Sequence, residues 1–441
     1  METVRITGIG SELQGVGKTA EGMTVFVPGA LPGELVELSP VRTAKRYMEA
    51  RLKRVVEASP ERREPDCPLF GVCGGCSGRH MRYDATLRFK RQRLTDALKR
   101  IAGLDEPVVC PTIGCPATDR LRNKAEFAIG PDGSGRILAG PVLKRGHQVL
   151  ETERCLLHPE AVNRAMRLFD LVISDLPPID RWKNLVCRVN EAGKLMLILC
   201  GRTPPGELER AVAARLQARM PELVSFWYIR QRPGAAHATD GQAIHLWGER
   251  RLEEALCGLS FSVSPQSFFQ VNTKQAERLY QIAIDAALEG VPGGRLLDLY
   301  CGTGTISLCA ANRGAKVTGV EIVPPAIEDA RANAEKNHLS DRGTFLCADA
   351  AKALPGLLRQ KPGFDCILLD PPRRGVDRSI IEALVSYDAP RIVYVSCDPG
   401  TLARDLGLLK EAFRVEWVQP VDMFPWTEHV ETVVLMSRVK E

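Results

Sequence analysis

Apolar and polar positions alternate in two different rhythms along this chain. Up to about residue 58, short β-prone pieces recur between Gly/Pro turns: Val4-Arg5-Ile6-Thr7-Gly8-Ile9, Met23-Thr24-Val25-Phe26-Val27 and Glu34-Leu35-Val36-Glu37-Leu38. Pro28-Gly29-Ala30-Leu31-Pro32-Gly33 is the clearest turn. Strands this short and closely spaced predict a small barrel of the oligonucleotide-binding kind. From about residue 275 the rhythm becomes a regular helix–strand alternation. A helix over 273–288 leads to a strand at 295–300. A strand at 316–321, a helix at 325–337 and strands at 366–370, 391–396 and 432–436 follow. Continuous apolar strands separated by amphipathic helices predict an α/β fold with a largely parallel sheet covered on both faces. Between these parts, residues 120–260 mix strands and helices without a strong motif. The polar, proline-bearing stretch from Ser59-Pro60 to Glu64-Pro65 reads as a linker. The expected domains are therefore 1–58, an α+β unit at 59–262 and the α/β unit at 263–441, with part of 83–118 packing on the last; 441 residues is too long for one ordinary core.

Composition narrows the class only a little. Hydrophobic residues at 44% and charged residues at 26% are those of a soluble globular protein, and a net charge of +5 permits nucleic acid without demanding it. Local basic runs matter more: Arg42, Lys45, Arg46, Arg51, Lys53 and Arg54 follow the barrel strands, and Tyr83 to Arg100 reads as a basic helix. Arg122-Asn123-Lys124 and Lys144-Arg145 are candidate RNA contacts, each balanced against an ordinary solvated surface. The N-terminus lacks a basic stretch followed by an apolar one, and no apolar run of about 18 residues occurs, so a cytoplasmic protein without a membrane span is expected. Gly15-Val16-Gly17-Lys18-Thr19 resembles a phosphate-binding loop, but Glu12 stands where the first glycine belongs and no buried strand precedes it.

Fourteen cysteines are many for such a chain. Cys187, Cys200, Cys309 and Cys366 sit singly in apolar segments, where a thiol acts as a small hydrophobe. Disulfides are not expected without an export signal. Cys67, Cys73 and Cys76 cluster as C-x5-C-x2-C, with Cys155 a distant fourth and Cys110 and Cys115 as alternatives. Four thiolates suit zinc or an iron–sulfur cluster, and spacing leaves both open.

The polar signals of the α/β unit fall where strands end, which is where ligands bind in open sheets. Asp298-Leu299-Tyr300-Cys301-Gly302-Thr303-Gly304-Thr305 ends the first strand. Glu321 ends the second, 19 residues after Gly302, where a carboxylate accepts from ribose hydroxyls, and Asp349 after the third suits an adenine edge. A dinucleotide fingerprint needs a third glycine, and Ser307 stands there. The combination is similar to S-adenosylmethionine-dependent methyltransferases. Asp370-Pro371-Pro372-Arg373 ends the fourth strand; an aromatic residue in place of Arg373 would indicate methylation of amino nitrogens. Ser396-Cys397-Asp398-Pro399 ends the next, placing a cysteine as a nucleophile would be. Uracil carbon 5 is too weakly nucleophilic to attack a methyl sulfonium unaided. A thiolate added at carbon 6 makes it an enolate carbon, and a base must then remove the carbon-5 proton. Glu431, opening the last strand, is the matching carboxylate, and Asp370 is suited to hold the uracil edge, its bland alternative being a turn cap.

At these residues the chain resembles the RNA uracil-C5 methyltransferases. The likeness is carried by Ser267-Phe268-Phe269-Gln270-Val271-Asn272, Leu297 to Gly304, Asp370 to Arg373, Ser396 to Pro399 and His429-Val430-Glu431-Thr432-Val433. It implies a Rossmann-like methyltransferase domain and cofactor contacts from Gln270, Tyr300, Glu321 and Asp370. It also implies a nucleophilic Cys397 and a base at Glu431; Thr305 departs from the Asn of some members. The ribosomal branch of the family implies a TRAM barrel at the N-terminus and a [4Fe–4S] cluster on Cys67, Cys73, Cys76 and Cys155. A radical methylase is not indicated, since its cysteines follow C-x3-C-x2-C. The expected substrate is a looped uridine of 23S ribosomal RNA, with transfer RNA the alternative on the premise that its enzymes often lack barrel and cluster. The base must be unstacked to react, and Phe268 is suited to stack on it or to pack in the core. No obligate protein partner is evident, and a monomer is expected.

Overall fold

The computed structural model of this chain describes residues 2–176, 181–360, 362–387 and 389–439. Strands β1 (Glu2–Ile9), β2 (Gln14–Lys18), β3 (Thr24–Pro28), β4 (Leu35–Thr43) and β5 (Tyr47–Glu57) close into a barrel in the order β1-β2-β3-β5-β4. Alternation puts Val4, Ile6, Val25, Val27, Val36 and Leu38 inside it. The stretch resembling a phosphate loop is β2. Gly17 is needed there for close approach, because a Cβ would stand 2.6 Å from the Arg5 carbonyl oxygen. The linker that follows is pinned: the fully buried Glu34 carboxylate accepts from Arg62 Nη2 (2.8 Å) and from the Ser59 amide (3.3 Å).

Helix α1 (Tyr83–Ala97) runs on into a π-helical turn at Leu98–Ala102. The middle of the chain supplies β6 (Lys124–Pro131), β7 (Ile137–Gly140), α2 (Glu160–Ile173), β8 (Trp182–Val189), β9 (Leu195–Gly201), α3 (Glu207–Gln217), β10 (Leu223–Gln231) and β11 (Gly241–Gly248). Its strands form a six-stranded sheet, β11-β10-β9-β8-β6-β7, in which β9 and β10 are parallel. Helices α2 and α3 cover one face, burying Phe169, Trp182, Leu216 and Phe226.

A hairpin, β12 (Leu252–Leu256) and β13 (Leu259–Val263), introduces the last unit. Then come α4 (Thr273–Leu288), β14 (Arg295–Leu299), α5 (Thr305–Asn312), β15 (Lys316–Glu321), α6 (Pro324–Lys336), β16 (Gly343–Cys347), α7 (Ala350–Leu358) and β17 (Cys366–Leu369). The chain finishes with α8 (Arg378–Ser386), β18 (Arg391–Ser396), α9 (Pro399–Leu409), β19 (Phe413–Val421) and β20 (Glu431–Arg438). The seven-stranded sheet runs β16-β15-β14-β17-β18-β20-β19. Its first five strands are parallel, while β20 is antiparallel to both neighbours. Strand order reverses between β14 and β17, which opens a crevice at their carboxyl ends. Segment 108–113 runs along the outer edge of β19, with the Cys110 amide donating to Val418 O and the Ile113 amide to Pro420 O, both at 2.9 Å. That pairing covers an otherwise open edge. Among the described residues no helix is long and apolar enough to cross a membrane.

Candidate active site

Beyond β14 the chain turns sharply enough to start α5 within a few residues. Tyr300, Gly302 and Gly304 all take left-handed backbone, with φ of +70°, +54° and +77°. Tyr300 does so despite its side chain, its amide held by Val320 O at 2.9 Å. Nothing lies within 4 Å of a Cβ placed on Gly302, so this glycine faces open crevice, whereas one on Gly304 would stand 3.0 Å from the Phe345 ring. Asp298 is buried and its carboxyl is pushed up to about 7 by that burial, while the Ser307 hydroxyl donates to it at 2.5 Å. The serine that breaks the dinucleotide pattern thus has its own task.

Glu321 is oriented by two amides, Gly302 N–H at 3.3 Å and Val323 N–H at 3.0 Å. Directly after it Ile322 is 62% exposed, an apolar surface beside a carboxylate that suits a nucleoside and that sequence reasoning missed. Asp349 is half-buried and caps α7 through the Ala351 amide at 2.9 Å. Gln270 reaches in from the side, near the Tyr280 hydroxyl, which pairs with Thr305 Oγ1 at 3.0 Å. Tyr280 was hidden in the sequence because it falls on the apolar stripe of α4. Asn123 braces this segment from the middle unit, donating from Nδ2 to Gln270 O (2.9 Å) and from its amide to Val271 O (2.8 Å). Asn123 is therefore a scaffold contact rather than a surface one.

Strands β18 and β20 pair Ser396 with Thr432. Cys397 follows Ser396 and Glu431 precedes Thr432, so the two residues flank the last pair of this register, and the Glu431 carboxyl acts on the Cys397 thiol by charge. Cys397 is held at the strand–helix junction by Asp398, which caps α9 by accepting from the Thr401 amide at 2.8 Å. Asp370 stands at the end of β17, where two prolines lacking N–H groups stop the strand. No described residue hydrogen-bonds its carboxylate, so it caps nothing. These groups feel one another. Burial pushes the Cys397 thiol up to about 11, Glu431 and Asp370 add to this, and Arg373 opposes it. Burial, then Asp370, lifts Glu431 to about 8, again against Arg373, and burial alone lifts Asp370 to about 7. A thiol, two carboxyls that resist ionisation and an exposed guanidinium thus lie within reach of one another's charge, and Asp370 and Glu321 both act on Asp298 at the end of β14. Of the paired phenylalanines, Phe269 is in the core and Phe268 is 74% exposed, which excludes the core role for Phe268. A cavity of about 1020 Å³ between segment 113–123 and α4 contains neither Cys397 nor Glu431.

Cys67, Cys73, Cys76 and Cys155 line a separate cavity of about 470 Å³ with Arg79 and Arg122. Gly75 N–H donates to Cys73 Sγ at 3.3 Å. Cys110 and Cys115 lie outside it, Cys115 taking a hydrogen bond from Asn272 Nδ2. Among the described residues no three His, Cys, Asp or Glu side chains form a group that would hold a metal ion. The expected metal centre is thus present as four thiols round one cavity and not as an assembled ligand set. Arg122, expected on a wet surface, instead lines this cavity and lies over the Phe424 ring at 5.9 Å.

Comparison with known proteins agrees with this geometry. Residues 252–439 match the family described as tRNA (uracil-5-)-methyltransferase, and residues 2–53 match the TRAM domain. An uncharacterized RNA methyltransferase of Halalkalibacterium halodurans is 36% identical over 96% of this chain and 94% of its own. The chain belongs to the RNA uracil-C5 methyltransferase family. A similar relative in Clostridium tetani is 34% identical over 98% of this chain and 95% of its own. Among solved structures, the Pyrococcus abyssi tRNA (uracil-54, C5)-methyltransferase with S-adenosyl-L-homocysteine bound is 25% identical. It covers 99% of this chain and all of its own, with a TM-score of 0.78. The methyltransferase is thus S-adenosylmethionine-dependent and acts on RNA. The Pyrococcus match extends over the barrel, so the barrel is shared with at least one transfer RNA enzyme.

Proposed function

We propose that this methyltransferase transfers a methyl group to carbon 5 of a uridine in folded RNA through a covalent adduct on Cys397. The observation that supports this reading is the β18–β20 pairing of Ser396 with Thr432, which Cys397 and Glu431 directly flank. When bound, S-adenosylmethionine supplies a methyl carbon on a sulfonium, and Gln270, Tyr300, Glu321 and Asp349 are the residues that would hold its nucleoside and amino acid ends. The Cys397 thiolate adds to carbon 6, and the electron pair moved to carbon 5 takes the methyl group as its bond to the sulfonium breaks and S-adenosylhomocysteine leaves. Asp370 holds the uracil edge. Glu431 then removes the carbon-5 proton, the carbon 6–sulfur bond breaks, and the thiolate returns. Arg373 favours the thiolate by charge. Replacing Cys397 with Ala is expected to abolish methylation, while RNA affinity stays within about threefold because the barrel's phosphate contacts are untouched. Turnover by that variant would refute the nucleophile.

For the target, the sequence favours 23S ribosomal RNA through the four cysteines; the full-length likeness to the Pyrococcus enzyme favours a transfer RNA uridine. Mapping 5-methyluridine in both RNA pools of a deletion strain decides between them. We further propose a [4Fe–4S] cluster on Cys67, Cys73, Cys76 and Cys155. Support comes from four sulfur donors round one cavity, an amide on one sulfur and two arginines to balance cluster charge. Near-stoichiometric iron and sulfide in anaerobically purified protein is the expected result; one zinc per chain would overturn it.

A further inference from the structure

Glu431 opens β20, but what precedes it, residues 422–430, has no regular structure to hold it. The strap's alternate carbonyls are instead each taken by one distant stretch of chain. Phe424 O accepts from Lys90 Nζ at 3.1 Å, Trp426 O from the Ser77 and Gly78 amides at 2.9 Å each, and Glu428 O from Arg93 Nη1 at 2.8 Å. Side chains repeat the pattern. Lys90 and Asp422, both fully buried, pair at 2.5 Å, Tyr83 Oη donates to the other Asp422 oxygen at 2.7 Å, and Ser77 Oγ donates to Glu428 Oε2 at 2.6 Å. At the centre Trp426 adopts φ +65°, a conformation a bulky residue takes only when its surroundings force it. Arg63 and Arg79 lie over its ring at 5.1 and 5.3 Å.

A buried lysine–aspartate pair is weak evidence for stability, since apolar side chains of similar volume would serve at least as well. What such a pair does well is to fix geometry. We propose that the stretch 77–93 positions Glu431: Ser77, Gly78, Lys90 and Arg93 clamp the strap and so set where its carboxylate stands relative to Cys397. Ser77 directly follows Cys76, so the cysteine-bearing segment supports the base mechanically, with no electron passing between them. This inference rests on the reading of Glu431 as the base.

The test uses the full-length protein with S-adenosylmethionine and RNA purified from a strain lacking the gene. Ser77→Ala, Ser77→Thr, Lys90→Met and Glu431→Gln are compared for kcat, KM and the fraction of protein trapped as covalent RNA adduct on denaturing gels. A displaced base leaves addition and methyl transfer intact and slows proton removal. Ser77→Ala is therefore expected to lower kcat about tenfold, keep both KM values within about twofold and raise the trapped fraction toward that of Glu431→Gln. Lys90→Met should do so more strongly, and Ser77→Thr, which keeps the hydroxyl, should restore turnover. Should Lys90→Met fail to fold, Ser77→Ala decides alone. Wild-type kcat and no added adduct in Ser77→Ala, while Glu431→Gln does accumulate adduct, overturn the positioning role and spare the base. No adduct in Glu431→Gln overturns the base, and this inference with it.

Discussion

Asp370 illustrates what the site costs the fold. Its carboxyl, lifted to about 7 by burial, holds a proton in the folded state that the unfolded chain gives up near the ordinary carboxylate range. Stability from this group is therefore complete at low pH and is lost as pH rises through about 7. Asp370→Asn should leave stability at pH 4 nearly unchanged and raise it at pH 8 by on the order of 2 kcal/mol, allowing for the water that still reaches the group. Thermal unfolding at the two pH values checks this, with activity falling in the same variant. Turnover runs the opposite way. Cys397, lifted to about 11, and Glu431, lifted to about 8, must both lose protons to act, so kcat/KM should climb from pH 6 to pH 9. A profile that falls over that range would contradict the assignment. The candidate pair was legible at this scale, because Cys397 and Glu431 each mark a strand end. Tyr280, Lys90 and Arg122 were not, because a polar group buried by tertiary contacts leaves no periodic trace in sequence.

The loop between β14 and α5 depends on two glycines for different reasons. Gly302 needs only its left-handed backbone, whereas Gly304 also lacks room, with Phe345 and Ala330 at 3.0 and 3.1 Å from a would-be Cβ. Gly304→Ala should therefore cost about 1–3 kcal/mol of stability, more than Gly302→Ala, whereas Gly302→Ala, whose methyl group points into the open crevice, should weaken S-adenosylmethionine binding more. Isothermal titration of the two variants tests the order. Three elements of this unit, β15, β18 and α4, could be read from the sequence almost residue for residue, since they are apolar or strongly periodic, whereas β19 and the helices α7 to α9 received no range. By contrast β2 was taken only as a failed phosphate loop: glycines packed against a neighbouring strand look the same in sequence as glycines round an anion. The 59–65 stretch read as a linker because proline and charge suggest one, and only the fold reveals Arg62 bound to buried Glu34.

Across the whole molecule, three segments of the middle unit support the methyltransferase unit. Asn123 braces Gln270, segment 108–113 seals the outer edge of β19, and residues 77–93 hold the strap before Glu431. Removing the N-terminal 120 residues should therefore do more than weaken RNA binding; it should leave the methyltransferase sheet with an open edge and an unheld base. The most direct measurement of the central claim is mass spectrometry of peptides from Glu431→Gln after incubation with S-adenosylmethionine and RNA, followed by nuclease digestion. The Cys397 peptide is expected to carry a uridine bearing one extra methyl group. A modified peptide from any other cysteine, or methylated RNA released with no adduct at all, would contradict the account.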